Sequence, residues 1–169
     1  MRKDDKAGLV TFNEYFDTFV PASKQVGQMQ TLLENLYKQE TTFGETDFSA
    51  LCGHLGKHVN KRSFLVLYTN FSNMTSLNRQ LVYLQQLARQ HRVLVVFFED
   101  ADLKEYIAGK SVTTEEYYRH VIAEKFAFEK RLIVSTLKQH GIYSLLTTPD
   151  KLSIDVINKY LEMKSRQLL

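Results

Sequence analysis

The chain has 169 residues, 44% of them hydrophobic and 24% charged, which fits one soluble globular domain. Its single cysteine excludes a disulfide scaffold and fits a reducing compartment, and the 22 Lys and Arg residues against 19 Asp and Glu are scattered, so the charge gives nucleic-acid binding no support. The longest apolar run, residues 93–98, is too short for a membrane helix. We therefore expect a cytoplasmic chain without a membrane span of its own.

Apolar segments of strand length recur along the chain. Residues 8–12 form the first, and an alternating segment that ends at Pro21 follows it, a pattern that predicts a β-hairpin at a sheet edge. Three further runs, residues 64–68, 93–98 and 142–146, have the length and the branched or aromatic content of strands buried on both faces. Such strands are typical of parallel sheets that helices cover.

Segments with helical periodicity lie between these strands. Residues 26–37, 48–59 and 77–88 each carry a one-sided apolar stripe, which predicts a helix packed on a sheet. Ser153 is the predicted N-cap of a last helix.

The longest predicted helix covers residues 113–140. It opens with a capping box between Thr113 and Glu116, and Gly141 ends it. Apolar residues cover about half of its circumference, so we expect it to be buried on more than one side.

The alternation of strands and helices predicts a three-layer α/β/α, Rossmann-like domain. Its sheet is mainly parallel, with the antiparallel hairpin at one edge. In this class ligands bind beyond the carboxyl ends of the strands. A site is therefore expected around residues 69–73, 99–102 or 147–150.

Several catalytic motifs are absent from the sequence. It has no G-x-G-x-x-G after a strand, no P-loop and no G-x-S-x-G elbow, so dinucleotide, P-loop and hydrolase-triad chemistry lose their main support. A receiver-type signalling domain shares the layers, but the acidic pair and phosphoacceptor aspartate that it needs are missing. His54 and His58 could share a helix face and hold a transition metal, but no third ligand stands at suitable spacing, and Cys52 lies on the apolar stripe.

Three acidic residues follow the most hydrophobic strand. Glu99, Asp100 and Asp102 could bind Mg²⁺ and serve a phosphoesterase or nuclease. Because residues 101–108 have a helical pattern, the same acids also fit the first turn of a helix, where the macrodipole favours negative charge.

Several segments resemble the von Willebrand factor A-like domain of the bacterial fifty-eighth domain-of-unknown-function family. They are KDDKAGLVTF at residues 3–12, FVP at 19–21, RSFLVLYTNF at 62–71, ARQHRVLVV at 88–96 and LSIDVINKYLEMKSR at 152–166. The resemblance implies a noncatalytic protein-interaction module that acts with a MoxR-type AAA+ ATPase. It also implies that a membrane anchor can precede the domain, which would make the chain the cytosolic part of an inner-membrane protein.

Domains of this type hold Mg²⁺ in three loops that carry a D-x-S-x-S motif, a threonine and an aspartate. The resemblance places Thr46 at the threonine and Asn70 at the aspartate, and D-x-S-x-S does not occur. A hydroxyl and an amide without a carboxylate hold a hard dication poorly. We therefore expect a degenerate adhesion site and no metal cofactor.

Relative to the family, residues 1–169 lack the first strand, which lies in the middle of the sheet. We therefore expect a single truncated domain whose sheet is re-paired internally or completed by another chain, including a second copy, because exposed apolar edges invite pairing.

Overall fold

The computed structural model describes residues 5–14, 16–40, 46–71, 73–99, 106–107 and 113–169. Contacts divide the chain into two compact units, Met1–Asn60 and Lys61–Leu169. The strands are β1 (Ala7–Phe12), β2 (Phe16–Ser23), β3 (Phe64–Tyr68), β4 (Arg92–Phe98) and β5 (Tyr143–Thr147). The helices are α1 (Gln28–Tyr37), α2 (Phe48–His58), α3 (Met74–Gln90), α4 (Thr114–Gln139) and α5 (Leu152–Ser165). The mixed α/β class, with an antiparallel hairpin and a parallel sheet, is confirmed.

The first unit is built on the hairpin of β1 and β2. The strands pair antiparallel, with Val10 opposite Phe19. Gly8 allows their close approach, because a Cβ atom at this position would lie 2.7 Å from the carbonyl oxygen of Val20. The described strands form two separate sheets, β1-β2 and β3-β4-β5. The prediction that the hairpin is the edge of the parallel sheet is therefore wrong for these strands.

Helix α2 packs in the first unit as its apolar stripe predicts. Asp47 caps the helix by accepting hydrogen bonds from the backbone N–H groups of Ser49 and Ala50. The ring of Phe48 lies edge-on to that of Phe12, with 5.4 Å between centroids. The buried residues of the helix are Phe48, Leu51, Cys52 and Leu55.

Helix α1 contradicts the prediction made from its stripe, because none of its residues is buried. A polar contact joins it to the hairpin: the Gln28 side-chain amide donates to the carbonyl oxygens of Ala7 and Pro21 at 2.8 and 3.0 Å. The apolar residues left exposed are Val26, Met29, Leu33, Leu36 and Tyr37.

The second unit contains the parallel sheet, in which β4 lies between β3 and β5. Residues 93–97 of β4 are all 2% exposed or less. Successive side chains of a strand point to opposite faces, so both faces of β4 are covered. The prediction of a doubly buried strand is confirmed for β4.

The two faces of this sheet carry different helices. On the face of Phe97, the Lys130 ammonium of α4 lies over the aromatic ring, and α4 also contacts α3. Phe64 pairs in register with Arg92, five positions before Phe97 and hence on the opposite face. There Tyr160 of α5 lies 5.9 Å from the ring of Phe64. The second unit is thus three layers deep.

The outer strands and α4 are less buried than their sequences predict. None of the residues of β3 is buried, and in β5 only Thr147 is. Both strands lie at sheet edges, where one neighbour is absent among the described strands. In α4 only Ala123, Ile133 and Leu137 are buried, so the prediction of burial on several sides is wrong. The exposed apolar residues of α4 are Tyr117, Tyr118, Val121, Ile122, Phe126, Phe128 and Leu132.

Local capping signals decide where α4 begins and ends. The predicted capping box of Thr113 and Glu116 is present, and Gly141 follows the helix with φ 72°. The predicted Ser153 cap is wrong, because a 3₁₀ turn, Pro149–Lys151, runs directly into α5. In the described parts of the chain no helix combines the length and hydrophobicity needed to cross a membrane.

Candidate functional site

The carboxyl ends of the three parallel strands lie side by side in the second unit. After β3, the backbone N–H of Thr69 donates to the Val96 carbonyl oxygen at 3.2 Å. After β4, the N–H of Glu99 donates to the Thr147 carbonyl oxygen at 2.9 Å. Residues that follow the strands therefore meet along one edge, where this fold class binds ligands.

Asn70 and Lys130 meet at this edge. The side-chain oxygen of Asn70 accepts a hydrogen bond from the Lys130 ammonium, which lies 6.0 Å from the centre of the Phe97 ring. Burial lowers the pKa of Lys130. Phe71, 4% exposed, packs against Phe97 with 5.9 Å between ring centres. We call Asn70, Phe71, Phe97 and Lys130 the β3-end cluster.

In the β3-end cluster, the ammonium of Lys130 occupies the place where a metal ion would bind Asn70. An ammonium has three donors and no lone pair, so Lys130 cannot ligate a metal, and its charge repels a dication. The amide oxygen of Asn70 is a neutral ligand and is engaged by Lys130. Across the described residues, no three His, Cys, Asp or Glu side chains are grouped as metal ligands.

A second polar contact lies on the other face of the same edge. Thr147, 3% exposed, donates its hydroxyl to a carboxylate oxygen of Asp155 at 2.5 Å. Asp155 stands in the first turn of α5. This contact joins the end of β5 to α5 and gives the carboxylate a structural partner.

Comparison with known proteins shows the family to which the chain belongs. Residues 1–110 of the 169 match a family described as Protein of unknown function DUF58. The chain belongs to the DUF58 family. No curated protein and no solved structure matches the chain. The family membership implied by the sequence resemblance is confirmed.

The predicted adhesion-site residues of this DUF58 chain lie in different units. Thr46 precedes Asp47, the N-cap of α2, in the first unit, whereas Asn70 belongs to the second. Neither unit by itself contains both positions. Of the three predicted acids, Glu99 follows β4, and Asp100 and Asp102 lie outside the described residues, as does most of the helix predicted after them.

The Cys52 and histidine cluster lies on α2. The rings of His54 and His58 stack with 5.6 Å between centroids and 22° between planes. Cys52 is buried, as its place on the apolar stripe predicts, and burial together with the charge of Asp47 raises the pKa of its thiol to about 11. The thiol of this DUF58 chain is therefore an unreactive core group at neutral pH.

Sequence reasoning missed Lys130. It stands 60 residues after Asn70 inside the predicted long helix, and no local pattern links the two. The available signal was its position one helical turn from the apolar residues Phe126 and Ile133.

Proposed function

We propose that this DUF58 chain is a noncatalytic protein-interaction module of the von Willebrand factor A-like type, with a degenerate adhesion site. The observation that carries the proposal is the contact of Lys130 with Asn70. Asn70 occupies the position of the aspartate in the resemblance. A lysine ammonium beside that residue supports a site that works without a metal ion.

Electrostatics explain why this arrangement disfavours Mg²⁺. The ion prefers octahedral oxygen ligands and is usually held through one or two carboxylates. Replacing the aspartate by Asn70 removes a negative charge, and Lys130 adds a positive one close by. Both changes weaken dication binding, and neither prevents recognition of a protein surface.

The proposed partner is a MoxR-type AAA+ ATPase. This part of the proposal rests on the family resemblance, which extends from residue 3 to residue 166. Apolar side chains exposed on α1 and α4 support a role in protein contacts, because extended exposed apolar surface often marks an interaction site.

Calorimetric titration with Mg²⁺ tests the metal part of the proposal. The whole chain is titrated to millimolar Mg²⁺ beside N70A, N70D and T46V. We expect no saturable heat from the wild type, N70A or T46V. Saturable binding by the wild type that N70A abolishes and N70D preserves would overturn the proposal.

An activity assay tests the noncatalytic part. The purified chain with Mg²⁺ or Mn²⁺ is expected to leave phosphomonoester and phosphodiester substrates intact. Hydrolysis that D100N or E99Q abolishes would instead assign the acids after β4 to a phosphoesterase or nuclease.

A further inference from the structure

Strand β3 is an edge strand with an unusual composition. It reads FLVLY and contains no charge, proline or glycine. Proteins commonly protect an edge with lysine, proline or a bulge, and β3 has none of these, since it pairs with β4 in unbroken register. Residues 93–97 of the neighbouring β4 are equally apolar and are buried, whereas Tyr68 of β3 is 52% exposed.

The backbone of β3 presents a row of hydrogen-bonding groups on its outer side. At its two ends, the Ser63 carbonyl oxygen accepts from Arg92 and the Thr69 N–H donates to Val96, both toward β4. Because direction alternates along a parallel strand, the N–H and C=O groups of Phe64, Val66 and Tyr68 point away from β4. Among the strands that the structure describes, none pairs with this edge.

We propose that this edge pairs antiparallel with the same edge of a second copy of the chain. A two-fold axis that passes between the two copies of Val66 places these residues opposite each other. The same axis places Phe64 opposite the partner's Tyr68. In an antiparallel ladder each such pair exchanges two hydrogen bonds. All the outward groups of Phe64, Val66 and Tyr68 are then satisfied in both copies.

The side chains fit this pairing as well as the backbone does. Each aromatic residue at one end of the strand meets an aromatic residue of the other copy, a favourable cross-strand pair. Beyond the strand, Arg62 lies opposite the partner's Asn70, a neutral residue. The result is a continuous six-stranded sheet. This self-association requires neither a metal ion nor the proposed ATPase partner.

Sedimentation of the whole chain tests the proposal with two edge variants. V66P removes only an outward N–H and leaves the hydrogen bonds to β4 intact, because Val66 points away from that strand. Y68K places a charge on the edge, opposite the partner's Phe64. V82K makes a comparable change on the exposed surface of α3 and is the matched control.

We expect the wild type and V82K to sediment as dimers at micromolar concentrations. V66P and Y68K should sediment as monomers that still unfold cooperatively; if V66P fails to fold, Y68K decides. A wild type that stays monomeric throughout, including one that instead binds an added extended peptide, would overturn the proposal. Dimers of Y68K as stable as those of the wild type would overturn it as well.

Discussion

The side-chain oxygen of Asn70 accepts a hydrogen bond from the ammonium of Lys130, which stands 60 residues later in the chain. The contact joins the segment after β3 to α4 across the carboxyl edge of the sheet. Asn70 is exposed, so water can replace the lysine there, whereas Lys130 is partly buried against Phe97. On folding, the ammonium of Lys130 therefore gains a neutral hydrogen-bond acceptor and loses part of its hydration.

Replacing Lys130 by methionine tests this balance. The substitution keeps an unbranched apolar stem and removes a charge whose pKa burial lowers, so the folded state no longer bears a desolvated cation. We expect the free energy of unfolding to stay equal or rise by up to about 1 kcal/mol in urea titrations. K130A, which also removes the stem, should lose about 1 kcal/mol. An equal loss in both variants would show that the ammonium itself stabilises the fold.

His91 predicts a dependence of stability on pH. Its side chain is buried, its Nδ1 accepts the N–H of Ser63 at 3.3 Å, and burial lowers its pKa below the ordinary 6.5. As the pH falls, His91 is therefore protonated at a higher pH in the unfolded chain than in the folded chain. The contribution of neutral His91 to the free energy of unfolding is therefore complete above about pH 6.5. It declines as the pH falls below that value.

Urea titrations across this pH range check the expectation. H91N keeps an oxygen near the position of Nδ1 and does not titrate, so its free energy of unfolding should fall less steeply on acidification than that of the wild type. Parallel pH profiles of the wild type and H91N would contradict the assignment.

Cys52 predicts slow alkylation. Raising the pKa of the thiol from 9.0 to about 11 leaves about 100-fold less thiolate at neutral pH, and burial restricts access further. Iodoacetamide should therefore label the folded chain at least 100-fold more slowly than the chain in urea. D47N keeps a capping oxygen and removes the nearby charge, so it should react faster than the wild type by less than tenfold. Equal rates in folded and unfolded protein would refute the buried position.

Thr147 predicts a cost for losing its hydroxyl. T147V keeps the shape of the side chain and removes the hydrogen bond to the partly buried Asp155 carboxylate. We expect the free energy of unfolding to fall by about 1–2 kcal/mol. T147S retains the hydroxyl and serves as the control, with a smaller loss. A T147V variant as stable as the wild type would show that the hydrogen bond to Asp155 does not stabilise the fold.

Features decided by local sequence were predictable. The continuous apolar run of β4 indicated a strand buried on both faces, and the Thr113 and Glu116 capping box fixed the start of α4, because backbone period and capping depend on neighbouring residues. The predicted Ser153 cap failed because Pro149 begins a turn that continues into α5.

Features that depend on what covers a surface were not predictable. The stripes of α1 and α4 show which side of each helix is apolar, but an amphipathic pattern does not specify its covering partner. Most of those residues are exposed. The sequence of β3 likewise does not show which of its sides is a free sheet edge. The sequence around Asn70 does not show that a lysine from a distant helix contacts it. Such long-range contacts follow from the tertiary fold alone.

Binding of a purified MoxR-type AAA+ ATPase to the immobilised whole chain tests the central claim, metal-independent protein interaction, most directly. The binding is measured without nucleotide, once with Mg²⁺ and once with EDTA. We predict the same affinity in both buffers, because Lys130 stands beside the residue that would otherwise help to hold the metal. Binding only with Mg²⁺, or no binding in either buffer, would contradict it.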